Sequence, residues 1–123
     1  AMNGTGLAPR PRDVIAAAGA AGVGVMGVRA VQAGALTESF DRPDTHGPDR
    51  DDHARAEPFR ALCRQWDQTP ALIAHRYALG IAGVDTLVLG VKNRAELDEA
   101  VAAEAQGPLE AELVAAIEAL GLR

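Results

Sequence analysis

Large aromatic side chains are scarce in this sequence of 123 residues, which has one tryptophan, one tyrosine and two phenylalanines. Alanine supplies much of the apolar content instead, and alanine packs helices closely but buries little area per residue. A core of this kind is marginal in a chain whose length suggests a single domain. We therefore expect the protein to gain stability by associating with another polypeptide.

Other absences exclude whole classes of protein. The single cysteine, Cys63, rules out an intrachain disulfide and fits a reducing compartment. A net charge of −5 without a basic stripe argues against a nucleic-acid partner. No apolar run approaches the roughly 18 residues that span a membrane, so no membrane partner is expected. The chain does not open with a signal-peptide pattern, and a cytoplasmic protein is the expectation.

Apolar spacing and turn residues predict an alternation of helices and strands. Residues 23–28 and 84–90 are short apolar runs next to glycines, which is typical of strands, and valines at both parities of the first run suggest burial on both faces. Helices are predicted to begin near Pro11, at Asp51 or Asp52, at Pro70 and Asn93, and near Leu109, with an interruption or new start at Pro58. This order predicts two parallel strands, which are too few for an independent sheet.

The chain is expected to form one domain over residues 10–123. Residues 1–9 are small and polar and are predicted to be a disordered segment, in which Ala1 before Met2 looks like a cloning remnant. Residues 29–51 form a long connection rich in glycine, proline and charge, and a connection of this length is usually functional or disordered.

Three segments together resemble a known family. Residues 22–37 read GVGVMGVRAVQAGALT, residues 69–99 contain TPALIAHRYAL and VDTLVLGVKNRAELDE, and residues 107–120 read GPLEAELVAAIEAL. In this order and spacing they resemble the C-terminal part of an aldo-keto reductase, with its last two strands and closing helices. The resemblance implies an α/β fold, a partial (β/α) barrel of two parallel strands and four to six helices.

The same resemblance implies NAD(P)-dependent carbonyl reduction or alcohol oxidation as the parent activity. In the family the catalytic Asp, Tyr, Lys and His come from the first half of the barrel, and none of these positions exists here. Tyr77, on the helix between the strands, is expected to face the barrel wall and is no substitute. We expect a truncated, inactive chain that is completed by a complementary N-terminal barrel segment or by other copies in a homo-oligomer.

The resemblance also implies that the loops after the two strands bind the cofactor, NADP or NAD. A glycine allows close backbone approach to a pyrophosphate, and a helix start offers N–H groups and a positive dipole end. The family commonly has glutamine where Glu96 stands, and a carboxylate there would repel a 2′-phosphate, so the sequence leans slightly away from NADP and leaves NAD open. The implied cofactor-binding residues are Arg29, Gly34 and Leu36 on the pyrophosphate side, Gly90 at the strand end, and Lys92, Asn93, Glu96 and Glu99 toward the adenosine.

Each of these residues also has a purely structural interpretation. Gly34 is equally a turn glycine, Asn93 with Glu96 is a helix cap, Lys92 is a solvated charge and Arg29 is a partner for an ion pair. Acidic residues and histidines between positions 44 and 53 match neither a zinc nor a calcium pattern, so no metal site is predicted. Two alternatives to a reductase fragment remain: a non-enzymatic oligomerising module built on the strand–helix–strand unit, and a small-molecule-binding module.

Overall fold

The computed structural model describes residues 10–38 and 48–121. Within them lie six α-helices, one 3₁₀ turn and two short strands. In chain order these are α1 (Pro11–Ala20), β1 (Met26–Val28), the 3₁₀ turn (Gln32–Gly34), α2 (Pro48–Arg55), α3 (Glu57–Gln65), α4 (Pro70–Leu79), β2 (Thr86–Val88), α5 (Arg94–Gln106) and α6 (Ala111–Ala119). The predicted disordered segment, residues 1–9, lies outside the described residues.

The two strands pair in parallel, as the element order predicts, with Val28 opposite Val88. Both are shorter than the apolar runs that contain them. At the start of the pair, the Asp85 carboxylate accepts a hydrogen bond from the backbone N–H of Val25 at 2.7 Å. The Val25 carbonyl oxygen also accepts from the backbone N–H groups of Asp85 at 3.0 Å and Thr86 at 3.3 Å. Side-chain and backbone hydrogen bonds therefore join the two segments just before the first strand pair.

One face of this two-stranded sheet is exposed, which corrects the prediction that the first strand is buried on both faces. Met26 and Val28 are 69% and 66% exposed, and Val88 on the neighbouring strand is 51% exposed. The physical reason is that paired strands lie edge to edge and do not cover one another's faces, and the described elements pack against only one face. On the opposite face the strands pack tightly: a Cβ at Gly27 would lie 2.6 Å from the Leu87 side chain.

The connection predicted over residues 29–51 contains more regular structure than expected. Its first part includes the 3₁₀ turn, and α2 begins within it at Pro48. Asp51 and Asp52 therefore lie inside α2, and the prediction that one of them caps a helix is wrong. Pro58 occupies the first turn of α3, where its missing N–H is tolerated, so the interpretation as a new helix start is confirmed.

The hydrophobic core lies between α3, α4 and α6. Its buried members are Phe59 and Cys63 from α3, Ile73 and Ala74 from α4, Leu109 just before α6 and Leu113 within α6. Cys63 is fully buried, and burial raises the pKa of its thiol to about 11. A thiol that stays protonated in such an environment is a packing residue and not a nucleophile.

Two further contacts hold the helices together. Arg76 on α4 is buried and donates to the carbonyl oxygens of Gly107 at 2.9 Å and Pro108 at 2.8 Å, which joins α4 to the turn between α5 and α6. Tyr77 donates its hydroxyl to Glu118 on α6 at 2.6 Å and accepts from Arg12 on α1 at 2.7 Å. The Tyr77 hydroxyl thus joins α1 and α6, a contact that the expectation of a barrel-wall position did not include.

Candidate functional site at the ends of the two strands

The parallel pairing brings two loops to one edge of the sheet. Because Val28 lies opposite Val88, the chain leaves both strands side by side, about 4.8 Å apart. We call residues 29–37 the β1 loop and residues 89–93 the β2 loop. The carboxyl ends of parallel strands are where α/β folds form their binding sites. The structure thus brings Arg29 and Gly90 to the same edge.

The β1 loop has a strained backbone. Arg29 has φ 58° and Gln32 has φ 52°, both in the left-handed region that non-glycine residues seldom occupy, and Gly34 follows with φ 91°. Each non-glycine residue held in this region costs on the order of 1 kcal/mol, and such conformations are often found at ligand-binding sites. Gly34 also accepts a hydrogen bond on its carbonyl oxygen from the Thr37 hydroxyl at 2.8 Å. Glycine is therefore needed at position 34 by the turn itself, whether or not a ligand binds there.

The far end of the β1 loop is packed into the protein. Ala35 is 1% exposed, and Val31 and Leu36 lie against the hydrophobic core. Leu36, a predicted cofactor contact, thus has a clear packing role. The loop is held at two points, by its own strand at one end and by the core at the other.

The sequence analysis did not identify Arg60, a residue outside the β1 loop that holds it in place. Arg60 on α3 is 3% exposed and donates to the carbonyl oxygen of Ala35. The sequence carries a signal at this position, because Ala56, Phe59 and Cys63 have the spacing of one helix face and Arg60 lies within it. An arginine on an apolar helix face implies a buried set of acceptors.

The β2 loop ends in a helix cap that matches the predicted one. Asn93 accepts a hydrogen bond on Oδ1 from the backbone N–H of Glu96 at 2.9 Å. Glu96 in turn accepts on Oε2 from the backbone N–H of Lys92 at 2.7 Å, so the cap reaches one residue before Asn93. Two amide groups that a phosphate would otherwise use are thereby occupied by side chains.

The Glu96 carboxylate places negative charge at the positive end of α5. One turn further along the helix, Glu99 has its pKa raised, chiefly by partial burial and then by the neighbouring charge of Glu96. This end of the site therefore carries two carboxylates, which favours ligands that present hydroxyl or amino groups over ligands that present a phosphate.

Gly90, just beyond β2, has open surroundings. Apart from its two chain neighbours, no described residue has an atom within 4 Å of the position that a Cβ would take there. Packing within residues 10–38 and 48–121 therefore does not explain this glycine. A small residue at an open strand end leaves room for a ligand or for another chain to approach the backbone.

The sequence profile of the aldo/keto reductase family matches residues 8–121. The chain belongs to the aldo/keto reductase family. Comparison with curated protein sequences gives no match. Aldo/keto reductases are oxidoreductases of the TIM-barrel type that generally use NAD(P)H, and a parallel pair of strands with open edges agrees with part of such a barrel.

The described part of this aldo/keto reductase has neither a cluster of metal ligands nor a membrane-spanning helix. Within residues 10–38 and 48–121, His, Cys, Asp and Glu side chains form no group of three or more that could hold a metal ion. Asp44 and His46, which belong to the acidic stretch noted in the sequence, lie outside these ranges. Among the described helices, none has the length and apolar character needed to cross a membrane.

Proposed function

We propose that this chain is the C-terminal, cofactor-holding part of an aldo/keto reductase barrel. In this proposal β1 and β2 are the last two strands of the barrel, and the parent activity is NAD(P)-dependent carbonyl reduction or alcohol oxidation. The observation that carries the proposal is the parallel pairing of Val28 with Val88, which places both strand-end loops at one edge. TIM-barrel enzymes frequently bind phosphate groups with the loops after their last two strands.

The catalytic residues, in this proposal, belong to the part of the barrel that precedes these strands. Two features of the described residues support an incomplete sheet. The sheet has two strands and therefore two open edges, and the side chains of Met26 and Val28 are largely exposed on one face. A complementary N-terminal segment would pair with the edges and cover that face. The chain alone is then expected to bind cofactor without turning it over.

We further propose that the dinucleotide lies with its pyrophosphate at the β1 loop, near Gly34, and its adenosine toward α5. The charge of Glu96 at the start of α5 supports NAD over NADP, because a 2′-phosphate would approach a carboxylate there. Lys92, in the β2 loop, donates its backbone N–H to this carboxylate at 2.7 Å.

Titration of the purified chain with NADH and then NADPH tests both parts of the proposal. We expect saturable binding, with NADH the tighter ligand. Glu96→Gln should narrow or reverse the difference in affinity between NADH and NADPH, because glutamine keeps an oxygen that accepts from Lys92 but loses the charge. Removing a repulsion of about 1 kcal/mol corresponds to about a fivefold gain in NADPH affinity. Fluorescence of the reduced nicotinamide and thermal stability would both report the binding.

A matched control is Glu112→Gln, which removes the same charge in the first turn of α6. If Glu112→Gln raises NADPH affinity as much as Glu96→Gln does, the effect is one of net charge and not of the site. If the unaltered chain binds neither dinucleotide at millimolar concentrations, the proposal of a retained cofactor site is wrong.

A second candidate function is a non-enzymatic oligomerising module. The observation that favours it is the extent of exposed apolar surface away from the strands, since Leu97 and Val101 on α5 are 49% and 59% exposed and Val14 on α1 is 46% exposed. Copies of the chain could cover one another on these surfaces.

Light scattering distinguishes the two candidates. An oligomerising module should scatter as a stable dimer or larger assembly at micromolar concentration, and Val101→Glu together with Leu97→Glu should return it to a monomer by placing charge on the apolar face of α5. Glu104→Lys, an exposed change on the same helix, serves as the control. A monomer at all accessible concentrations would rule out this candidate.

A further inference from the structure

Among the residues that the structure describes, Arg60 is the most deeply buried charged residue, at 3% exposure. Its guanidinium group donates to the carbonyl oxygens of Ala35 and His53, the latter at 2.6 Å. It also forms an ion pair with Glu57 at 3.0 Å. A buried arginine is tolerated only where its donors are satisfied in this way.

The partners of Arg60 come from three different parts of the chain. Ala35 lies in the β1 loop, between Gly34 and Leu36, whereas His53 lies in α2 and Glu57 begins α3. One planar group therefore joins the loop to two helices. Lysine would not reproduce this arrangement, because a single ammonium lacks the fixed fork of donors that reaches two separate carbonyl oxygens.

The backbone conformation of the β1 loop requires a restraint of the kind that Arg60 provides. Arg29 and Gln32 both hold left-handed backbone conformations, and these persist only where the surroundings impose them. Arg64 on α3 makes a second connection to this region, because it forms ion pairs with Glu38 at 2.7 Å and with Glu57. The pKa of Glu57 is lowered, first by its hydrogen bond with Arg64, so the carboxylate that orients both arginines stays ionised.

We infer that Arg60 is a positioning residue for the β1 loop, and that it holds the turn at Gly34 in the conformation that receives the cofactor pyrophosphate. This inference rests on the proposed function. The group acts through the carbonyl oxygen of Ala35 and does not itself touch the ligand. Its contribution is preorganisation, because a loop that is already ordered loses less entropy on binding.

Arg60→Lys in the 123-residue chain is the test, and Arg76→Lys is its matched control. Both remove a buried arginine that donates to two backbone carbonyls, but Arg76 holds the turn at Gly107 and Pro108, away from the strand ends. With all proteins shown to be folded by circular dichroism, Arg60→Lys should weaken NADH binding by about tenfold, whereas Arg76→Lys should change it by less than about twofold. Hydrogen exchange should rise at residues 31–37 in the first variant and at residues 107–110 in the second.

Several outcomes would overturn the inference. A folded Arg60→Lys protein that binds NADH like the unaltered chain rules it out, and so does an equal loss of affinity in both variants, which would indicate a general effect of lowered stability. Should Arg60→Lys fail to fold, Glu57→Gln, at an exposed position, replaces it: a loss of affinity of about threefold supports the inference, and unchanged affinity overturns it. Absence of binding by the unaltered chain would instead show that the proposed function has failed, and the inference with it.

Discussion

An Ile73→Ala protein should lose about 2–5 kcal/mol of its free energy of unfolding. Ile73 lies in the middle of α4 and has no exposed surface, with Phe59, Cys63 and Leu113 in the same buried cluster. Alanine would remove the apolar contacts of the larger side chain and leave a cavity between three helices. Because domains of this size have only about 5–15 kcal/mol of stability, the loss is a large fraction of the whole.

Urea denaturation followed by circular dichroism measures this effect. Ile73→Val should cost only about 0.5–1.5 kcal/mol, since it removes a single methylene group, and it still tests the site if the alanine variant is unfolded. Val101→Ala, at a position that is 59% exposed, is the control and should change stability by no more than about 0.5 kcal/mol. Equal losses at positions 73 and 101 would contradict a core centred on α3, α4 and α6.

Gly83→Ala should destabilise the protein by about 1–3 kcal/mol, for two separate reasons. Gly83 has φ 91°, a conformation that an L side chain adopts with strain, and a Cβ there would lie 2.6 Å from Cγ2 of Ile15. This glycine lies in the turn before β2 and meets α1, so a larger residue would push the helix away from the start of the strand.

Gly19→Ala is the natural comparison, and the two substitutions should change the stability of the protein in opposite directions. Gly19 lies in α1, and no atom lies within 4 Å of its Cβ position apart from its chain neighbours and the backbone of its own helix. Alanine in a helix is favoured over glycine by about 0.5–1 kcal/mol, so this variant should be the more stable one. Thermal unfolding of both proteins is sufficient, and destabilisation of the same size in each would show that the contact of Gly83 with Ile15 is absent in solution.

Much of the local structure could be predicted because it depends on neighbouring residues. Pro70 after Thr69 starts α4, and Asn93 with Glu96 caps α5, since the groups that satisfy a helix start lie within four residues of it. The strands were predicted from length and flanking glycines, and their parallel pairing from the helix between them. Strand limits were less accurate, because a strand begins where its partner begins.

The candidate site also has some features that were predicted from the sequence and others that were not. Its location at the ends of two strands was predicted by the resemblance, and the pairing of Val28 with Val88 shows that the two loops lie at one edge of the sheet. The inward packing of Leu36 and the contact between Arg60 and Ala35 were not predicted. Arg60 and Ala35 are 25 residues apart in sequence, and no short-range pattern specifies which carbonyl a buried arginine will reach.

The sequence by itself determined the order of elements, the starts of α4 and α5 and the family, because periodicity, capping chemistry and motif spacing are properties of nearby residues. Only the tertiary structure decided which apolar residues are covered and which charges are buried. The valines of the first strand were predicted to be buried, yet Val28 is 66% exposed, whereas Arg60, for which no role was predicted, is 3% exposed. Burial depends on what the rest of the chain brings alongside a residue, and for the strands of this protein the described elements cover only one face.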